Sequence, residues 1–380
     1  MRPDYGGGSL VNLMASITLS RGGAALHAPL KSLRGEELEA ARNVVLLIID
    51  GLGDRLLAKH APGGELARRR RASLTSVFPS TTASAITTSY TGRTPLEHGL
   101  TGWYTYFSEA GCVAATLPFR SRGDMLPLST RGVTPEQIYT PDTLFASLPL
   151  RSMVVTDQRI VDSEYNVHYC RGAERSAYAN VAQMVSLIEA AVKSASERKF
   201  IYAYWPDYDA ASHQYGCESP QALAELAKID AAFGDLVQSL SGTDSVVIAT
   251  ADHGFVDCPR EDCLELPAML ASQLRFPLCG ERRVLFCHVG SEKEFLARAR
   301  DWLGERAEVR PSRELVDDGW FGDGASHPQI RERVGDVAIV MRDRHTLKDW
   351  LAGEPRHLHI GNHGGTSEDE MTIPLILEKT

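Results

Sequence analysis

The stretch VVLLIIDG, residues 44–51, decides the fold. Its first six residues are apolar without interruption, and Val44, Val45, Ile48 and Ile49 are β-branched. A strand with one wet face alternates apolar and polar residues, whereas a strand covered on both faces reads as a continuous apolar run. The run therefore predicts a central strand of a parallel sheet. It ends on Asp50 and Gly51, so its first charge falls where the chain would leave the sheet. Similar runs recur at 153–156, 200–205, 246–250, 337–341 and 373–377. Between them, 178–194 carries Val181, Met184, Val185, Ile188 and Val192 at helical spacing. The segment 222–240 does the same with Leu223, Leu226, Ile229, Phe233, Leu236 and Leu240. Strands alternating with amphipathic helices predict a layered α/β protein.

Two stretches read as additions to that core. Residues 107–140 are rich in Gly, Pro, Arg and Thr without periodicity, and are expected to form a loop or lid. Residues 259–333 hold a strand candidate (283–289) and a helix candidate (293–303), and are expected to form a small inserted α+β subdomain. The expected catalytic core is then 1–258 together with 334–380.

The chain has 380 residues, 43% of them hydrophobic and 23% charged, which suits a globular protein with a sizeable core. Its net charge of -9 speaks against a nucleic-acid-binding module, because polyanions are held by clustered Lys and Arg. The one basic run, 68–71, reads as a solvated helix end, with a phosphate-binding patch as the alternative. Seven cysteines, an odd number, do not compose a fully paired disulfide framework. No apolar run reaches the length of a membrane span, and the N-terminal segment lacks a signal-peptide pattern. A cytoplasmic protein with reduced thiols is expected. Its oligomeric state is left open.

Chemistry-bearing residues cluster next to the apolar runs. Asp50 closes the first run, where ligands gather in open α/β sheets. Asp209 and His213 follow the run at 200–205, and their spacing of four puts both on one face of a helix. Asp252 and His253 stand just beyond 246–250, with Gly254 permitting a tight turn. His357, His359 and His363 precede the last run. Read singly, each is also an ordinary cap, turn or surface residue. Together, Asp50, Asp209, His213, Asp252, His253 and His363 make two sets of three ligands for divalent ions, zinc or manganese. The segment FPSTTASAITTSYTGRTPLEHGLTG, 78–102, offers several hydroxyls, any of which is a nucleophile only if a base or metal activates it. Trp103, Tyr104, Tyr106 and Tyr208 lie near these motifs and are candidates either for a substrate pocket or for core packing.

The order Asp50, PxxT (79–82), TGxxPxxHG (91–99), DxxxH (209–213), DHG (252–254) and HG (363–364) resembles the alkaline phosphatase superfamily. Segment 78–102 is similar to the nucleophile motif of the type I phosphodiesterase/nucleotide pyrophosphatase family. The resemblance implies an alkaline-phosphatase-like three-layer α/β sandwich with a mostly parallel sheet. It places the nucleophile on Thr82. It implies one metal on Asp50, Asp252 and His253, with Thr82 bridging toward it, and another on Asp209, His213 and His363. A small phosphorylated substrate, hydrolysed through a phospho-threonine intermediate, is the activity it implies. Phosphomonoester or phosphonate hydrolysis is the alternative within the superfamily, and a non-catalytic binding protein the alternative outside catalysis. Two positions depart from the family pattern. Ala83 stands where nucleotide-hydrolysing members carry an aromatic residue, and Ala85 where they carry an Asn.

Overall fold

The computed structural model describes residues 1–194, 196–354 and 356–380. Asn43–Ile49 runs through the middle of a seven-stranded sheet with every residue buried. Lys199–Trp205 and Ser245–Thr250 flank it, both parallel to it. The sheet order is Arg70–Thr75, Thr372–Lys379, Ser245–Thr250, Asn43–Ile49, Lys199–Trp205, Arg151–Asp157, Ala173–Tyr178. Thr372–Lys379 alone runs opposite to the other six strands. Continuous apolar runs thus occupy the interior of the sheet. The strand Arg70–Thr75, with its exposed start, sits at an edge.

The helices begin where their caps dictate. Ser219 accepts a hydrogen bond from the Ala222 amide, and Pro220 opens Pro220–Ser239. Asn180 accepts one from the Gln183 amide and starts Val181–Lys193. That cap corrects the expected helix 178–194, since Tyr178 instead ends the strand Ala173–Tyr178 and its hydroxyl donates to the Tyr204 carbonyl. Near the N-terminus, Leu10–Ser20 is almost wholly buried and packs against the helix Thr82–Thr91.

A second, antiparallel sheet is built from Ala307–Pro311, Val337–Met341, Val284–Cys287, Cys279–Gly280, Tyr104–Phe107, Cys112–Ala115 and Arg120–Ser121. Two sequence expectations change here. Val337–Met341, taken for a strand of the catalytic core, pairs with Val284–Cys287 and Ala307–Pro311 instead. The stretch 107–140 carries two strands of the same sheet as well as loop. An apolar run reports that a strand is buried; its partner is chosen by packing far away in sequence. The basic run 68–71 is not a free patch. Arg68, Arg69, Arg70 and Arg71 pair with Glu65, Glu378, Asp54 and Glu37, respectively. All seven cysteines are free thiols.

One buried ion pair ties the second sheet to the end of the chain. Arg283 and Glu370 have side chains 1% and 0% exposed and meet through two hydrogen bonds, 3.0 and 2.9 Å. Glu370 also accepts from the Gly365 amide at 2.8 Å and the Ser367 hydroxyl at 2.7 Å, which fixes the loop after His363. Arg283→Met strands a buried carboxylate and is expected to lower unfolding stability by about 3–5 kcal/mol. Urea melts of the variant check this, and Arg283→Met/Glu370→Leu should recover a good part of the loss. A single-variant loss under about 1 kcal/mol would show that the pair is dispensable.

Candidate active site

Three neighbouring strands end at the same rim, and each delivers a candidate ligand there. Asp50 follows Asn43–Ile49, and Asp252 and His253 follow Ser245–Thr250. Beyond Lys199–Trp205 the chain enters the helix Asp207–Tyr215, which carries Asp209 and His213 one turn apart. The short strand Gly361–Asn362 pairs antiparallel with Val256–Asp257 and so brings His363 alongside. The rings of His253 and His363 stack at 3.8 Å between centroids. Gly51 makes the first turn possible. Its φ is +76°, and a Cβ there would run into the Phe255 ring.

Thr82 is the first residue of Thr82–Thr91, after an extended Thr81. Its Oγ1 lies 3.1 Å from His253 Nε2. The same nitrogen is 3.3 Å from Asp50 Oδ1 and 3.4 Å from Asp252 Oδ2. With its proton on Nδ1, His253 donates to the Gly254 carbonyl at 3.1 Å and keeps the Nε2 lone pair free. His213 does the same toward the Gly361 carbonyl at 2.9 Å. Its Nε2 then sits 3.2 Å from His363 Nε2 and 3.5 Å from Asp209 Oδ1. The remaining carboxylate oxygens are anchored: Asp252 Oδ1 accepts from the Gly51 and His253 amides at 3.0 Å each, and Asp50 Oδ2 accepts from the Tyr204 hydroxyl.

Whether these residues suit metal ions is a question about their donor atoms. Asp50 Oδ1, Asp209 Oδ1 and Asp252 Oδ2 are buried without a hydrogen-bond partner among the described residues. Burial pushes the Asp50 carboxyl up to about 6 and the Asp252 carboxyl up to about 7, the latter aided by repulsion from Asp50. Burial, then Asp50 and Asp252, hold Asp209 well above the usual carboxylate range. Burial holds His213 down to about 3 and His363 well below its usual value. The cluster thus gathers three buried carboxylate oxygens without a donor beside three imidazoles, an arrangement costly in itself and relieved by cations. Two triads have ligand atoms within 4.8 Å of one another, Asp209/His213/His363 and Asp50/Asp209/His253. Asp209 belongs to both, and Asp252 joins the second through His253. The donor set fits a pair of divalent ions.

A cavity of about 610 Å³ opens onto Thr82, Asp209, His213 and His363. The second sheet supplies its far wall. Trp103 and Tyr104 line it. Tyr106 does not: it stacks on Phe276 at 4.1 Å between centroids. Tyr208 is fully buried and donates to the Cys217 carbonyl, so it packs in the core. Ala83 and Ala85 are buried in the helix, away from the cavity lining. His357 and His359 do line the cavity, and the His359 ring lies 4.3 Å from that of His213.

Sequence reasoning missed the cavity's charged residues. Glu281 accepts from the Thr81 hydroxyl and the Trp103 amide, both at 2.6 Å, and so joins the second sheet to the start of the helix Thr82–Thr91. Burial raises its carboxyl to about 7. Arg122, Arg282 and Lys348 line the cavity too. In the sequence, Gly280-Glu281-Arg282-Arg283 looks like a polar turn, and nothing local distinguishes it from a solvated one.

The family model for type I phosphodiesterase / nucleotide pyrophosphatase matches residues 44–366. Bis(5'-adenosyl)-triphosphatase ENPP4 of Pongo abelii is 38% identical over 72 residues, which cover 18% of this chain and 16% of that protein. The Homo sapiens protein of the same name is 36% identical over 76 residues, 19% and 17% of the two chains. The chain thus aligns with about a sixth of these curated relatives. Similar solved structures include murine ectonucleotide pyrophosphatase / phosphodiesterase 5, with a TM-score of 0.65, 16% identity and 87% of each chain covered. Phosphonoacetate hydrolase from Sinorhizobium meliloti 1021 gives a TM-score of 0.63 at 17% identity, covering 89% of this chain and 90% of its own. At such identities the likeness is one of fold.

Proposed function

The chain belongs to the type I phosphodiesterase / nucleotide pyrophosphatase family, and from that premise we propose a two-metal phosphodiesterase that acts through Thr82. The observation that carries the reading is Thr82 Oγ1 at 3.1 Å from His253 Nε2, in a cluster of six potential ligands whose Asp50, Asp209 and Asp252 each keep a buried oxygen without a partner among the described residues. Asp209, His213 and His363 would hold one divalent ion and Asp50, Asp252 and His253 the other, zinc with manganese as the alternative. When bound, such ions supply the positive charge that favours an alkoxide and stabilises phosphoryl oxygens.

The protein's own residues do the rest. The helix start presents Thr82 Oγ1 at the cavity floor, with the free amides of its first turn beside it. Attack of that oxygen on phosphorus expels the alcohol and leaves a phospho-threonine, which water then hydrolyses. Glu281 holds Thr81 and the Trp103 amide, so the wall and the nucleophile keep one spacing. The Ala85 position offers no side-chain donor to the phosphoryl group, which leaves the helix amides as the chain's own donors there.

A second reading, monoester or phosphonate hydrolysis, is favoured by Ala83, which gives a nucleobase no ring to stack on. Steady-state rates with zinc or manganese separate the two. Bis-p-nitrophenyl phosphate is expected to exceed p-nitrophenyl phosphate and phosphonoacetate by on the order of tenfold in kcat/KM. The opposite ranking transfers the assignment to the second reading. No turnover across the three would favour a binding protein that retains the fold.

A further inference from the structure

The helix Thr82–Thr91 begins without the cap its sequence offers. Thr81 is the N-cap residue, with φ −143° and ψ 152°, and a threonine there ordinarily accepts a hydrogen bond from an amide of the first turn. The Thr81 side chain makes no such bond. Its hydroxyl donates instead to Glu281 at 2.6 Å, and the same carboxylate oxygen accepts from the Trp103 amide at 2.6 Å. Ser84, the third residue of the helix, turns its hydroxyl to the Leu100 carbonyl at 2.9 Å. Among the described residues nothing accepts from the Thr82, Ala83 or Ser84 amides, and the first bond back is from the Ala85 amide to the Thr81 carbonyl at 2.9 Å.

Glu281 belongs to another layer of the molecule. It sits in the hairpin between Cys279–Gly280 and Val284–Cys287, where its amide donates to the Val284 carbonyl at 2.7 Å. The second sheet therefore fixes where the carboxylate stands. A hydroxyl at position 81 has two settings: it can donate outward to that carboxylate, or rotate and accept from the Ala83 or Ser84 amide. A hydrogen bond to a carboxylate is the stronger of the two, so Glu281 takes the hydroxyl. The amides left open lie beside Thr82 at the cavity that Thr82 and Glu281 both line. There they can donate to a phosphoryl oxygen, at the end of the helix where its dipole favours negative charge.

We propose that Glu281 is a positioning residue: by drawing the Thr81 hydroxyl away from the helix, it keeps the first-turn amides uncapped for a phosphoryl oxygen of the substrate. This rests on the reading of Thr82 and its cavity as a phosphohydrolase site. It gives Glu281 a task beyond spacing the wall from the helix, because a spacer would serve equally well with the amides capped.

Binding of methylphosphonate to the zinc-loaded protein, read by calorimetry, tests this without turnover. Two substitutions break the same hydrogen bond and should have different outcomes. Glu281→Ala releases the hydroxyl onto the amides and is expected to weaken binding by about tenfold, the scale of one charge-assisted hydrogen bond. Thr81→Val removes the hydroxyl and leaves the amides open, so its affinity should stay within about threefold of the parent. Glu281→Gln keeps an acceptor for the hydroxyl and should also stay within about threefold. Glu281→Ala/Thr81→Val should regain at least about half of the binding free energy lost in Glu281→Ala. The kcat for bis-p-nitrophenyl phosphate should follow the same order. Equal losses in Glu281→Ala and Thr81→Val would reduce the bond to a spacer and overturn the inference. So would a Glu281→Ala variant that binds as the parent does, or a double variant no better than Glu281→Ala. Should Glu281→Ala fail to fold, a tenfold loss in Thr81→Val overturns the inference by itself, and parental affinity there supports it. If the parent binds no methylphosphonate, the phosphohydrolase reading falls and takes this inference with it.

Discussion

Thr82→Ala, loaded with zinc, should keep its fold and its ions yet lose turnover of bis-p-nitrophenyl phosphate by on the order of 10³-fold or more. The size follows from what is removed. Oγ1 is the oxygen that bonds to phosphorus in the proposed first step, and a bound water must replace it without the alignment that the helix start provides. The fold should tolerate the change for local reasons. Thr82 opens a helix whose N-cap is Thr81, so the capping residue survives, and Ala is the better helix former. The Thr82 hydroxyl lies 3.1 Å from His253 Nε2 and beside the Asp50 carboxyl, so its removal takes one contact from the cluster and leaves the backbone of the helix start in place. Metal content measured by mass spectrometry, a thermal melt and steady-state rates on one preparation separate a chemical loss from a structural one. Activity within tenfold of wild type, with ions bound, would remove Thr82 from the mechanism and point to another hydroxyl of the same helix.

The second large effect should come from Asp209→Asn. Asp209 is the one residue common to both candidate triads, so its charge would hold one proposed ion and stand close to the other. An amide keeps the shape but replaces the anion with a neutral group, one edge of which donates toward His213 and His363. Zinc retained after gel filtration should fall by at least half, and turnover by on the order of 10²-fold or more. The metal-free proteins should reverse the order of stability. Without cations, Asp209 is a buried carboxyl crowded by Asp50 and Asp252, and its proton affinity is raised. A carboxyl raised in this way binds more protons folded than unfolded above its ordinary value of 3.8, so its contribution to stability falls as pH rises. Metal-free Asp209→Asn should therefore be more stable than the metal-free parent near pH 8, with the advantage shrinking toward pH 4. Urea melts in chelator across that range measure it. A variant that binds two zinc ions as the parent does, or a metal-free stability difference without any pH trend, would count against Asp209 as a ligand.

These two predictions show how differently the parts of the site were readable. Asp50, Asp209, His213, Asp252 and His253 each follow an apolar run, whereas His363 stood out by its His- and Gly-rich surroundings and Thr82 was singled out from the hydroxyls of 78–102 only by the family resemblance. That is why a linear reading could nominate them. The aromatic candidates had no such anchor. Trp103 and Tyr104 reach the cavity, whereas Tyr106, on the same short strand as Tyr104, stacks on Phe276. Tyr208, next to Asp209, lies buried and donates to the Cys217 carbonyl.

By itself the sequence determined which segments are buried and where charge first interrupts them, because burial and backbone period are local demands written into consecutive residues. Tertiary structure alone decided that Val337–Met341 joins the second sheet, that Asp209 stands between both ligand triads, and that Glu281, Arg282 and Lys348 look into the same cavity as Thr82. Those facts depend on which distant strand supplies a run of free N–H and C=O groups and on how two sheets pack face to rim. Energies of that kind are summed over residues hundreds of positions apart, and no single stretch of chain carries them.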